Sequence, residues 1–406
     1  MNKPTFDMVF QAKKDLRGVI KQTDLVYAEA LSNETGAEVY LKLENLQKSG
    51  SFKIRGAYNK MFNLSEREKA SGVVCSSAGN HAQGVAISAS MLGIKSTIVM
   101  PKSAPFAKIS ATKNYSGHVV LEGNIYDDAY AKALEIQETE GATFVHPFND
   151  PYIIAGQGTI GLEMMEQQPD LDVLLVPIGG GGIAAGIGLA VKTMNPHVQV
   201  IGVQSENAPS MYEAIKSNKV ESVQVSRTIA DGIAVARPGD LTFPLIQAYL
   251  DEVVVVSESD LAKAFLFLLE SCNLIVEGAG AISVAALRNL SERFKGKKVG
   301  VVLTGGNIDI NLVESIINHA LVVSGRRIQI KTTVNHQPGE LKRFLDIISG
   351  EGGNVLTVHQ NRFREGLSMY QMGVTLVMET IDAAQKERIL QKLRDNGYEL
   401  RYSLPN

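Results

Sequence analysis

The chain has 406 residues, more than one ordinary hydrophobic core accommodates, so two or three domains are expected. Hydrophobic residues at 45%, charged residues at 20% and a net charge of −3 describe a globular chain. That balance gives no support for a nucleic-acid or anionic-membrane partner, and the scattered histidines show no HExxH or Cys-Cys-His spacing for a metal.

The opening MNKPTFDMVFQAKKD lacks the apolar stretch of a secretory leader. Cys75 and Cys272 stand alone, as reduced thiols of a cytoplasmic protein do. The first segment with chemical character is Ser49-Gly50-Ser51-Phe52-Lys53-Ile54-Arg55-Gly56-Ala57. A lysine amine at such a helix start forms an imine with an aldehyde if burial keeps it unprotonated. An ordinary surface lysine fits the segment as well when it is taken alone.

A strand over Gly72–Cys75 runs into Ser76-Ser77-Ala78-Gly79-Asn80-His81 and a helix over Ala82–Leu92. Small residues at a strand-to-helix turn leave backbone N–H groups free for a carboxylate, and the Asn80 amide suits a phenolic oxygen. The bland alternative is a capped turn with His81 at the surface. Strands follow at Ser96–Met100, His118–Leu121 and Asp172–Pro177, the last ending in Gly179-Gly180-Gly181-Gly182. Four glycines at a strand–helix junction make a phosphate cradle. They also satisfy the loose dinucleotide pattern Gly180-x-Gly182-x-x-Ala185, with Glu206 placed for a ribose, so a nicotinamide reading stays open. The uncharged run from Val173 to Val191 has the length of a membrane span, but Pro177 and the glycines break it into strand, turn and helix.

Further strands are expected at Gln199–Gln204, Glu252–Val256 and Lys298–Leu303, with a helix over Leu261–Ser271. The last strand leads into Thr304-Gly305-Gly306-Asn307, where Thr304 offers a neutral hydroxyl at a sheet edge. Continuous apolar strands alternating with helices predict α/β architecture with mostly parallel sheets. After a short hinge at 321–327 the pattern becomes β-α-β-β-α-β. Ile328, Ile330 and Val334 alternate, as do Tyr370, Met372, Val374, Leu376 and Met378. Leu341, Phe344, Leu345 and Ile348 keep helical spacing after Pro338, and Ile389, Leu390 and Leu393 mark a second helix.

Six motifs in order, SGSFKIRGA, SSAGNHAQGVA, PIGGGGIAAGI, RTIADGIAV, NLIVEGAGA and LTGGN, resemble the fold-type II pyridoxal-phosphate (PLP) enzymes, nearest to their threonine dehydratase branch. The resemblance implies a tryptophan synthase β-like catalytic region over 1–322. Its large domain would comprise 1–53 and 153–322, its small domain 54–152, with PLP between them. It implies Lys53 as the imine lysine with Phe52 beside the ring, Asn80 on the 3-hydroxyl oxygen, Gly179–Gly182 on the phosphate, Thr304 on the pyridine nitrogen and Glu277 near the ring. Ser76, Ser77, Ala78, Gly79 and His81 would hold the substrate carboxylate. The activity implied is removal of water and ammonia from threonine, and from serine as well, within amino-acid metabolism such as isoleucine biosynthesis. Relatives that racemise serine carry a serine proton donor where Ala78 stands, so racemisation is expected to be poor.

Residues 326–406 resemble an ACT domain, a ferredoxin-like α+β unit that senses amino acids. Asn335, His336, Gly339 and Leu341 fall in its ligand-loop region. Feedback by an amino-acid effector and a homodimer or homotetramer are the expectations that follow. An amino-acid sensor on a dead catalytic fold is the non-enzymatic alternative, disfavoured by the presence of Lys53.

Overall fold

The computed structural model describes residues 3–362 and 366–403, which form two compact units, one up to Ile310 and one from Asn311. The first contains two sheets. A six-stranded sheet runs in the order Leu25–Tyr27, Glu38–Leu43, Lys298–Leu303, Val173–Pro177, Gln199–Ser205, Glu252–Val256, parallel except at the antiparallel edge strand Leu25–Tyr27. A four-stranded parallel sheet, in the order His118–Leu121, Ser96–Met100, Val73–Ser76, Thr143–Phe144, is drawn from the middle of the chain.

Val73–Ser76, Ser96–Met100 and Val173–Pro177 are buried at every position, which explains their unbroken apolar runs. Their side chains face helices on both sides, so no polar alternation survives. The strand Glu38–Leu43 was not anticipated: its Glu38, Tyr40 and Lys42 interrupt the apolar signal, yet Lys42 is fully buried in an ion-pair network. The Val173–Val191 run resolves into the strand, the glycine turn and the helix Gly182–Met194. Among the described residues no helix is long and apolar enough to cross a membrane.

Helix Lys53–Phe62 lies against helix Pro151–Gln167, and glycines permit the closeness of the crossing. A Cβ on Gly56 would stand 2.8 Å from the Ile153 carbonyl oxygen, and one on Gly156 2.6 Å from that of Arg55. Between the helices Arg55, fully buried, is clasped by two carboxylates. Its Nη2 lies 2.7 Å from Glu44 Oε1 and its Nη1 2.6 Å from Glu163 Oε1, while Lys42 Nζ donates to Glu163 Oε2 at 2.7 Å. This neutral set of four buried charges fixes the start of the Lys53 helix.

The second unit begins earlier than the expected junction at 321–327. A helix over Ile310–Val323 runs into that stretch, because Leu321, Val322 and Val323 extend its apolar pattern until Gly325, at φ +72°, ends it. Beyond it the strands order as Asn354–Asn361, Gln371–Glu379, Arg327–Asn335, Arg401–Ser403, all antiparallel. Helices Glu340–Gly350 and Ala383–Asp395 cover the sheet and bury Phe344, Ile348, Ile389 and Leu393 against Ile330, Val374, Leu376 and Met378. This is the ferredoxin-like α+β arrangement.

Candidate active site

The ends of the buried strands deliver their turns to one cavity of about 790 Å³ in the first unit. Phe52, Lys53, the whole Ser76–His81 turn, Gly179–Gly182, Glu277 and Thr304 all line it. Segments far apart in the chain are stitched together by backbone contacts. The Phe52 N–H donates to the Thr304 carbonyl at 3.1 Å, and Ser51 bridges to Gly305.

Lys53 heads its helix with its side chain half-buried. Its Nζ donates to the Pro147 carbonyl oxygen at 3.1 Å and stands 5.1 Å from the centre of the Phe52 ring. Burial lowers the Lys53 pKa to about 8, against the opposing pull of the Glu277 carboxylate. A usable fraction of free amine at neutral pH follows, as a nucleophile or a base requires.

Asn80 is held from two directions. Its Nδ2 lies 2.8 Å from both Glu277 carboxylate oxygens, and its Oδ1 accepts from Asn307 Nδ2 at 2.8 Å. Asn307 in turn donates to the Ser49 carbonyl at 2.8 Å. Glycine is required at 305, where a Cβ would stand 2.5 Å from Glu277 Oε1. Burial raises the Glu277 pKa to about 7; the Asn80 amide opposes the rise, Asp231 adds to it, and Lys108 and Lys53 oppose it. The folded protein therefore binds this proton more tightly than the unfolded chain, and ionising Glu277 costs stability as pH climbs from its ordinary 4.5 towards 7. In Glu277→Gln that increment should vanish, so parent and variant melting temperatures, compared across this window, should diverge in the variant's favour as pH rises.

The glycine turn is shaped by what stands behind it. Gly181 sits at φ +100°, and its Cβ would lie 2.6 Å from Thr242 Oγ1; one on Gly180 would lie 2.3 Å from the Phe148 ring. The Gly180 carbonyl accepts from Thr242 Oγ1 at 2.6 Å and from the Gly239 N–H at 3.2 Å. Gly182 opens the 13-residue helix Gly182–Met194, whose first-turn N–H groups have no intrahelical partner. Thr304 Oγ1 is buried without a protein hydrogen-bond partner.

His81 departs from the expectation of a surface residue. It is buried, not at the surface, and its Nε2–H donates to the Val145 carbonyl at 2.8 Å. Burial, with the Lys53 charge assisting, lowers its pKa to about 3. A neutral, anchored His81 fixes the turn and brings no positive charge to a substrate carboxylate. Sequence reasoning also missed Val145–Asn149 and gave no role to Asp231–Gly239 although its start lies in the RTIADGIAV motif; of these, His146, Phe148, Asp231 and Arg237 line the cavity. For the first of these, Asp150-Pro151 at a helix start was a legible signal. Lys108 and Asp231 face each other from opposite walls at 3.1 Å.

In the second unit Asn335 ends its strand opposite Gln371, the His336 N–H donates to the Tyr370 carbonyl at 2.7 Å, and Gly339 caps the next helix at φ +90°. These three are exposed, whereas Leu341 is half-buried against the core. Glu206, on which the nicotinamide reading leaned, is exposed beyond its strand and does not line the cavity.

Residues 16–305 match the model of a family described as pyridoxal-phosphate dependent enzymes. The chain belongs to this family.

Across 397 residues it is 53% identical to the L-threonine ammonia-lyase of Thermotoga maritima, covering 98% of this chain and 99% of that one. Among solved structures it resembles the processed form of threonine deaminase isoform 2 from Solanum lycopersicum, with a TM-score of 0.74 and 36% identity over 79% of this chain and 96% of that one. Maize serine racemase gives the same TM-score at 33% identity, over 78% of this chain and 98% of that one. The PLP family membership replaces the nicotinamide alternative. The cavity suits that cofactor on two observations: Thr304 Oγ1 is a buried hydroxyl lacking a partner, and Lys53 is a half-buried amine whose pKa is lowered to about 8. The chain is thus an enzyme acting on an amino-acid substrate.

Proposed function

We propose that the chain is a threonine ammonia-lyase that converts L-threonine to 2-oxobutanoate and ammonia by β-elimination, and L-serine to pyruvate. The observation that carries this reading is Lys53, a half-buried amine with its pKa lowered to about 8 where the small-residue turns meet. The full-length likeness to the Thermotoga maritima enzyme supports it. Lys53 would carry the cofactor aldehyde, Phe52 would flank the ring, and the Asn80 amide, oriented by Glu277 and Asn307, would hold the phenolic oxygen. Gly179–Gly182 would offer backbone N–H groups to the phosphate, and Thr304 Oγ1 would meet the ring nitrogen. When bound, PLP supplies the electron sink that makes the substrate Cα proton removable.

The Ser76–Gly79 turn holds the substrate carboxylate with hydroxyls and N–H groups, His81 anchoring it from below. Lys53, once free, takes the Cα proton as a neutral amine. Ala78 presents only a methyl to the substrate and gives no proton. D-serine formation is therefore expected to be far slower than pyruvate release, which chiral chromatography of a serine reaction measures. Release of 2-oxo acid from threonine and serine by the PLP-loaded protein tests the main reading; release from neither overturns it and revives the non-enzymatic alternative.

The second unit acts as an ACT regulatory module that takes an amino-acid effector near Asn335, His336, Gly339 and Leu341. It pairs with another copy to give a homodimer or homotetramer. The free thiols Cys75 and Cys272 fit a cytoplasmic setting. A chain ending at Ile310 should keep turnover and lose any response to isoleucine or valine. If the full chain responds to neither amino acid, the regulatory part fails.

A further inference from the structure

In the segment Val145 to Asn149, four of the five residues reach other segments in or beside the active site. The Val145 carbonyl anchors His81, and the Pro147 carbonyl receives Lys53 Nζ at 3.1 Å. The Phe148 ring backs Gly180 and its Cβ and backbone back Gly182, while Asn149 Oδ1 accepts the Leu241 N–H at 2.9 Å. Only His146 spends its side chain on the segment itself. Its Nδ1 accepts the N–H of Phe148 at 3.2 Å and of Asn149 at 2.8 Å, closing the turn around Pro147, which has no N–H of its own. Phe144 and Phe148 hold the imidazole edge-on, with centroids 6.2 Å and 4.6 Å away. Two donors on Nδ1 require a neutral ring with its proton on Nε2. Burial favours that state, lowering the His146 pKa to about 4.

We propose that His146 is a positioning residue for Lys53: it locks the turn that aims the Pro147 carbonyl at Nζ and so gives the free lysine amine a fixed acceptor each time it leaves the cofactor. The Pro147 oxygen restrains Nζ without removing its charge or its reactivity. A lysine with no such acceptor would spread over the cavity, and both its attack on the PLP aldehyde and its proton transfer at Cα would be delayed. The cost is one of orientation, not of affinity.

The inference rests on Lys53 being the amine that bonds PLP, and the test separates the two. Borohydride trapping of the PLP-loaded parent must first label Lys53; a label on another lysine overturns that underlying reading. The cofactor-free parent, His146→Asn and His146→Leu are then mixed with PLP, and the rate at which the visible imine band grows is followed. The Asn carbonyl oxygen stands close to where Nδ1 was and still accepts the two N–H groups; Leu cannot. For His146→Leu the expectation is a slowing of about tenfold to 10²-fold in band growth and in kcat, the scale of an ångström of misplacement, with substrate KM little changed. His146→Asn should recover most of that loss. If His146→Leu does not fold, His146→Gln, whose carbonyl oxygen reaches past the Nδ1 position, replaces it with the same expectation. Parent-like band growth and kcat in a folded His146→Leu or His146→Gln overturn the proposal. So does an equal loss in His146→Asn, because ring packing alone would then explain the effect.

Discussion

The Lys53→Ala protein is expected to form no imine band with PLP and to lose at least about 10³-fold in kcat for threonine, the scale of deleting a general base in place. Binding need not collapse with it, because the glycine turn and Thr304 are untouched. A retained, non-covalently held cofactor with no turnover is the signature sought. In the cofactor-free parent the sign of the pH dependence follows from burial of the amine. Lys53 is protonated below about 8 and free above it, so the rate of band growth should climb as pH rises through that value and then level. A rate independent of pH from 6 to 10, or a borohydride label retained in Lys53→Ala, would contradict the assignment.

Arg55→Met should produce the largest loss of stability. It removes the guanidinium that Glu44 and Glu163 both clasp and leaves Lys42 alone to balance two buried carboxylates. Breaking a buried pair in this way costs about 3–5 kcal/mol, because the orphaned charge keeps its full desolvation penalty. In the parent, burial pushes the Glu44 pKa up, but Arg55 and then Lys42 outweigh it and the net pKa lies below the ordinary 4.5. That stabilisation is present above 4.5 and is lost as the pH falls through the depressed folded value. In Arg55→Met burial prevails and Glu44 gains a proton readily, so the deficit relative to the parent should be greatest at neutral pH and shrink on acidification. Adding Glu44→Gln restores neutrality with the Lys42–Glu163 pair intact, and should recover part of the loss. Urea midpoints of the three proteins across pH 4 to 8 provide the check. Equal midpoints for parent and Arg55→Met would show that the network contributes nothing.

Much of the core was legible because its signals are local. Ser96–Met100, His118–Leu121, Glu252–Val256 and Lys298–Leu303 fall where runs of β-branched and leucine residues put them. Three other strands were not. Leu25–Tyr27 and Thr143–Phe144 are too short to show a period, and Glu38–Leu43 carries charges that only tertiary partners neutralise. The hinge expected at 321–327 overlaps the end of helix Ile310–Val323, because Leu321, Val322 and Val323 continue that helix.

By itself the sequence determined where chain direction and backbone freedom permit a turn to meet a ligand. It set the glycines, the small residues before Lys53 and the hydroxyl at Thr304, because conformational freedom and side-chain chemistry belong to single residues. Only the tertiary structure decided what those groups face. Glu277 orients Asn80 across 197 positions, Pro147 receives Lys53 across 94, and His81 turns inward to Val145. Burial then set the proton affinities of Lys53, His146 and Glu277, since desolvation depends on all the chain that packs around a group and on nothing its sequence neighbours reveal.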